Sequence, residues 1–251
     1  MAGRGNLIYG RNPILDALKS GKSLDKIFLQ SGLKGEELSE IGALARKADI
    51  PVQRVPQEKL HRLTVKGGQA VNHQGVAAFL SLIQYYEIED VIQHCYDNGE
   101  DPLIVLLDGV TDVRNFGAIA RSAEVFGAHA IVIPSRGSAQ INPEAMKASA
   151  GALNRISVCR VDSIAVALKT LEWNGLKSFA SSLDASQTIS DCDFSGPCGI
   201  VMGAEESGIS SQVARKADEL FIIPQKGETD SLNVSVATGV ILYEVSRQRG
   251  L

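Results

Sequence analysis

The chain has no run of eighteen consecutive apolar residues, so nothing in it reads as a membrane-spanning helix. Its opening, Met1-Ala-Gly-Arg-Gly-Asn6, lacks the apolar stretch of a secretory signal, and a cytoplasmic protein is the expectation. Cysteine is scarce. Cys95, Cys159, Cys192 and Cys198 are scattered, and the closest pair has five residues between, which fits no common zinc spacing. They are expected to be reduced bystanders, with no metal. No G-x-G-x-x-G fingerprint follows a strand, which argues against a dehydrogenase or a conventional Rossmann methyltransferase. No G-x-S-x-G is present, and beyond residue 103 the only histidine is His129, in a strand-like setting, so a hydrolase lacks its usual set.

What is present is enough apolar material for a real core: 251 residues, 44% of them hydrophobic. Two domains are favoured. The net charge of −4 argues mildly against a nucleic-acid partner until the chain is divided. Residues 1 to 84 hold 12 Lys and Arg against 7 Asp and Glu, a net of +5, and residues 85 to 251 hold 13 against 22, a net of −9. A phosphate backbone is expected to land on the basic end.

That basic end reads as strand (Leu7–Gly10), polar turn and helix (from Asn12-Pro13), strand (Lys26–Gln30), helix (Glu36–Ala48), strand (Val52–Val55), a short amphipathic piece (Glu58–Leu63) and an apolar strand (Val76–Ile83). Such alternation implies a small α/β layer domain over 1–84. Lys66 to Gly75 is a Gly-rich polar loop in which His73 is a weak catalytic candidate and contact with RNA the better expectation. Residues 85–102 read as a helical linker ending at Asp101-Pro102. From 103 on, strands (103–107, 130–133, 156–161, 177–181, 198–202, 220–223) alternate with helices (116–126, 143–153, 163–174, 210–217, 231–248), the pattern of a parallel sheet. Ligands of such sheets sit beyond the carboxyl ends of the strands.

Three of those ends carry polar, Gly-containing loops. The first is Leu107-Asp-Gly109 followed by Arg114-Asn115-Phe-Gly117 and Arg121; Phe116, Ile119, Ala123 and Phe126 share a helix face, which turns Arg121 the other way. The second is Met202-Gly203-Ala-Glu205-Glu206-Ser-Gly208, where Gly203 allows a backbone to approach a ligand closely. The third runs from Phe221-Ile-Ile223-Pro through an acidic loop (226–230) to Ser231-Leu232-Asn233-Val-Ser235-Val-Ala, with Ser231 or Asp230 expected to cap a helix that is apolar all round and therefore buried. Asn233 and Ser235 must then find hydrogen-bond partners.

In order and spacing these stretches resemble the three motifs of the SpoU (TrmH-like) family of RNA ribose 2′-O-methyltransferases, over about residues 103 to 251. The resemblance implies an α/β fold with a small RNA-binding domain of ribosomal-protein type (1–84), a linker (85–102) and a SPOUT methyltransferase domain (103–251) containing a deep trefoil knot. It implies S-adenosylmethionine as methyl donor and a homodimer formed through the methyltransferase domain. Asn115, Arg121, Glu205, Ser231 and Asn233 become the catalytic candidates, and Gly203, Ile223 and Leu232 the donor-binding ones. Arg121 would bind the substrate phosphate and help activate the 2′-hydroxyl; guanidinium is too weak an acid for a plain general base, so stabilising a developing alkoxide fits it better. The Asn72-His-Gln-Gly75 loop and the basic first domain resemble the branch acting on a guanosine of large-subunit (23S) ribosomal RNA, with transfer RNA as the alternative substrate. A non-catalytic ribosome-assembly protein is the third reading.

Overall fold

The computed structural model describes residues 6–65, 71–228 and 231–250. The chain divides into two compact units, Met1–Gln84 with Ile141–Pro143 and Tyr85–Gln140 with Glu144–Leu251. In the first, β1 (Leu7–Tyr9), α1 (Arg11–Lys19), β2 (Leu24–Gln30), α2 (Glu36–Lys47), β3 (Val52–Val55), α3 (Gln57–Thr64) and β4 (Val76–Leu80) build a four-stranded sheet of order β1-β4-β2-β3. Strands β2 and β3 run parallel, and β4 is antiparallel to both of its neighbours. Alternating side chains of β2 divide between two cores. Ile27 and Leu29 meet Ile14 and Ile41 of α1 and α2, while Phe28 meets Leu60 of α3. The polar turn expected before the first helix is absent: Gly10, at φ +91°, turns the chain directly into α1.

The second unit contains β5 (Tyr85–Tyr86), α4 (Ile88–Asp97), β6 (Leu103–Asp108), α5 (Val113–Val125), β7 (Ala130–Pro134), α6 (Pro143–Ala148), β8 (Ser157–Val161), α7 (Ile164–Trp173), β9 (Lys177–Ser181), β10 (Cys198–Gly203), α8 (Ser211–Ala214), β11 (Glu219–Phe221) and α9 (Val234–Gln248). Its seven strands lie in the order β11-β9-β10-β6-β7-β8-β5, every neighbouring pair parallel. Central strands are buried along their whole length, as a sheet covered on both faces requires. After the short edge strand β5 the chain enters the middle at β6, works out through β7 to β8, then crosses to β9, β10 and β11. The order therefore reverses between β6 and β10, the place where open α/β sheets bind ligands.

Residues 85–102, read from sequence as a linker, are drawn into this unit. Tyr85 and Tyr86 pair with β8, and Ile88, Ile92 and Cys95 of α4 are buried against Ile104, Val132 and Leu168. Helix α9 departs from its expected setting too. Ile241, Leu242 and Val245 are buried, but Val236 (53% exposed), Val240 and Tyr243 (60%) face outward, because an outer-layer helix covers its sheet with one side only. No helix among the described residues is long and apolar enough to cross a membrane.

Candidate active site

The first functional loop is built by a cap. Gly109, at φ +81°, turns the chain after β6, and the Asp112 carboxylate accepts from the backbone N–H of Arg114 (2.9 Å) and Asn115 (2.8 Å), starting α5. Glycine at 117 then lets α6 lie against α5: a Cβ there would stand 2.5 Å from the Ala148 Cβ and 2.7 Å from the Ala145 carbonyl oxygen. The first turn of α5 is thus held from both ends, which fixes where Asn115 points.

After β10 the chain folds back on itself. Ala204 and Gly208 exchange backbone hydrogen bonds of 3.0 and 2.8 Å, and the Asp108 carboxylate at the end of β6 accepts from the Ser210 N–H at 2.7 Å. A Cβ at Gly203 would lie 2.1 Å from the Gly208 carbonyl carbon. Gly203 thus has no room for a side chain, because the backbone of its own loop packs where a Cβ would stand.

Asn233, and not Ser231, caps α9. Its Oδ1 accepts from the N–H of Ser235 (3.0 Å) and Val236 (3.4 Å) and from the Ser235 hydroxyl (2.6 Å). The helix accordingly starts at Val234, three residues later than its periodicity indicates, because Leu232 extends the apolar pattern without being helical. Asp230, with Thr229, lies outside the described residues. Asn233 Nδ2 donates to Asn115 Oδ1 (3.0 Å) and Glu205 Oε1 (3.2 Å), and Asn115 Nδ2 donates to Glu205 Oε2 (3.2 Å). Three loops far apart in sequence thus converge on one hydrogen-bonded cluster.

Beside it lies a cavity of about 290 Å³, near the lower end of the size of small-molecule sites, at the carboxyl ends of β9, β10 and β11. Glu205 belongs to both cluster and cavity. Gly203, Ile223, Ser231 and Leu232 also line it, whereas Asn115, Asn233 and Arg121 do not. Sequence reading missed Ser181 to Asp184, Met202, Ile209, Ile222 and Gln225. The end of β9 was within reach, since the rule that points to the ends of β6 and β10 applies equally to it.

Comparison with known proteins agrees with this layout. Residues 102–243 match the SpoU rRNA methylase family, and residues 7–86 match the substrate-binding domain of RNA 2′-O ribose methyltransferases. The chain belongs to the SpoU family. A putative TrmH family tRNA/rRNA methyltransferase of Bacillus subtilis is 33% identical over 249 residues, 99% of this chain and 98% of that protein. A solved AdoMet-bound rRNA methyltransferase from Sinorhizobium meliloti superposes with a TM-score of 0.60 at 26% identity, covering 96% of this chain and 87% of its own. A TrmH/SpoU tRNA modifying enzyme of A. aeolicus reaches a TM-score of 0.54 at 30% identity, over 64% of this chain and 83% of its own.

The cavity of this SpoU chain suits a methyl donor of mixed polarity. Apolar walls (Ile209, Ile223, Leu232) would take an aromatic base, and the carboxylates of Asp184 and Glu205 suit an amine and a cationic sulfur. Arg121 stands apart. Six residues beyond Asn115, and so about 9 Å along α5, it is exposed, and among the described residues its guanidinium has no hydrogen-bond or ion-pair partner. His73 is corrected as an RNA-facing group: the ring is 5% exposed, and its Nδ1 accepts from the Gly75 N–H at 3.0 Å. Residues 66–70 of the same loop lie outside the described residues. The four cysteines are free and buried, and burial pushes the Cys159 thiol up to about 12 and those of Cys192 and Cys198 to about 11, which leaves them unreactive. Among the described residues no group of three His, Cys, Asp or Glu side chains could hold a metal ion.

Proposed function

We propose that this SpoU methyltransferase moves the methyl group of S-adenosylmethionine to the ribose 2′-hydroxyl of a guanosine in large-subunit (23S) ribosomal RNA. The observation that carries the reading is the Asn115–Glu205–Asn233 cluster on the rim of a donor-sized cavity. A donor in that cavity supplies an electrophilic methyl on a sulfonium. The protein has to align the hydroxyl in line with it, exclude water and help one proton leave. Gly203, Ile223 and Leu232 hold the donor, and Ser231 with Asn233 positions donor and ribose. Glu205 and Asn115 fix the loops around them. Arg121 binds the substrate phosphate and stabilises the alkoxide as it forms.

Arg121 reaches that position in a homodimer. It lies one turn before Val125 on the same exposed side of α5, and Val125 (66% exposed) continues into the open apolar side of α9, where Tyr243 stacks edge-on against Phe126. Burying that surface against a second copy would bring each Arg121 toward the other's cavity. The trefoil knot of the methyltransferase domain and a cytoplasmic location belong to the same proposal. Ribosomal RNA is preferred over transfer RNA on the basic charge of the first unit, and on a structural likeness that spans 96% of this chain for an rRNA enzyme but 64% for a tRNA enzyme. The test is to map ribose methylation in total RNA with and without the gene. Loss of one guanosine mark in large-subunit RNA is expected; unchanged ribosomal RNA with a lost transfer-RNA mark would replace the substrate, and no lost mark would overturn the activity.

A further inference from the structure

We infer that Ser235 is a positioning residue for the reaction: its hydroxyl adds a third, short hydrogen bond that anchors the Asn233 amide, and so holds Asn233, Asn115 and Glu205 in register. This rests on the methyltransferase reading above and adds a residue that the reading leaves without a role. A side-chain amide has an accepting end and a donating end, and the surroundings decide which faces where. Backbone N–H groups only donate. Ser235 N–H (3.0 Å) and Val236 N–H (3.4 Å) therefore demand oxygen from Asn233, and the Ser235 hydroxyl, at 2.6 Å, is the shortest of the three contacts to that oxygen.

The opposite end of the same amide faces two acceptors, Asn115 Oδ1 (3.0 Å) and Glu205 Oε1 (3.2 Å). Turned over, it would set an oxygen against the Glu205 carboxylate and an NH2 against two backbone N–H donors. Orientation is thus transmitted in series. The backbone donors set the Asn233 amide and the Ser235 hydroxyl anchors it, Asn233 sets one oxygen of Glu205 and the Asn115 oxygen, and the Asn115 amide is thereby left to hold the other Glu205 oxygen (3.2 Å). Ser235 itself does not line the cavity, so it acts through Asn233 and not on a bound donor. Nor is it needed for the cap, since both backbone donors to Asn233 survive without the hydroxyl.

The test uses the full chain carrying Ser235→Ala or Ser235→Thr. In Ser235→Ala, kcat should fall on the order of tenfold, as for one lost orienting hydrogen bond, while KM for RNA and Kd for S-adenosylmethionine stay within about twofold. Ser235→Thr keeps the hydroxyl and should recover most of kcat. A purely structural role would instead lower Tm and donor affinity together with kcat; that outcome, or a kcat in Ser235→Ala within about twofold of wild type, overturns the inference. The side-chain amide NMR signals of Asn233 give a second arm that needs no turnover. They should shift and broaden in Ser235→Ala and return in Ser235→Thr, and unchanged signals in Ser235→Ala also overturn it. Wild-type protein inactive on every RNA would defeat the methyltransferase reading alone, leaving the NMR arm to decide the role of Ser235.

Discussion

Arg121 and His73 show how burial separates a residue's use from its chemistry. Arg121 is exposed and has no hydrogen-bond or ion-pair partner among the described residues, so Arg121→Ala should cost about 0.5 kcal/mol or less in thermal or chemical unfolding. Its turnover should nonetheless fall on the order of a hundredfold, the scale of a lost transition-state contact, and Arg121→Lys should rescue weakly because it loses the planar fork. Single-turnover methylation beside a melting curve separates the two; near-normal turnover in Arg121→Ala would return the residue to an ordinary solvated role. His73 is the reverse case. Burial first, and the neighbouring His61 ring second, hold its pKa below the usual histidine value. The folded protein then binds that proton more weakly than the unfolded chain does. Its contribution is fully present above the ordinary histidine range and is lost as pH falls toward the depressed value. Denaturant midpoints should drop between pH 7.5 and 5, and should drop less in His73→Asn, whose oxygen can still accept from Gly75 without titrating; equal slopes would show that His73 is not the group responsible.

At the scale of elements, the site depends on how closely helices and loops approach. Gly117 lets α6 lie against the first turn of α5, and Gly203 lets the loop after β10 close on its own strand. Gly117→Ala drives a methyl group into the Ala145 carbonyl and the Ala148 side chain, and overpacking of that kind costs about 1–3 kcal/mol. Because α5 also carries Asn115, the variant should lose turnover even at temperatures where it is fully folded. Measuring methylation well below its own Tm tests this, and wild-type kcat there would mean that the α5–α6 contact serves stability only.

The whole molecule divides charge and labour. A chain beginning at Tyr85 keeps every strand of the seven-stranded sheet and all residues around the cavity. It should bind S-adenosylmethionine nearly as the full chain does, yet bind RNA more weakly and with a shallower dependence on salt, since fewer phosphates are neutralised. An unchanged salt slope would move the RNA-binding surface to the second unit. The proposed homodimer has its own test. Arg121→Ala and Asn233→Ala chains, each inactive alone, should regain activity when mixed and allowed to exchange subunits, because one of the two composite sites is then intact. No recovery in a mixture shown to contain heterodimers would place Arg121 in its own chain's site.

Much of this was readable from residue order. The parallel alternation from Leu103 onward, the outward side of α5 and the three loops at strand ends follow from periodicity and from glycine and cap residues, which act over a few neighbours in the chain. The same local rules misplaced the start of α9. Leu232 continues an apolar pattern, whereas the cap falls at Asn233, whose amide is also held at its far end by Asn115 and Glu205 from distant loops. Residues 85–102 lacked a long apolar strand and read as a linker, although two residues suffice once β8 stands beside them as a template. Nor could spacing reveal that Gly203 is filled by its own loop, that Ser181 to Asp184 wall the cavity, or that His73 is buried. Each depends on groups brought together across tens of residues, and distance through space is information that hydrophobic periodicity along the chain does not carry.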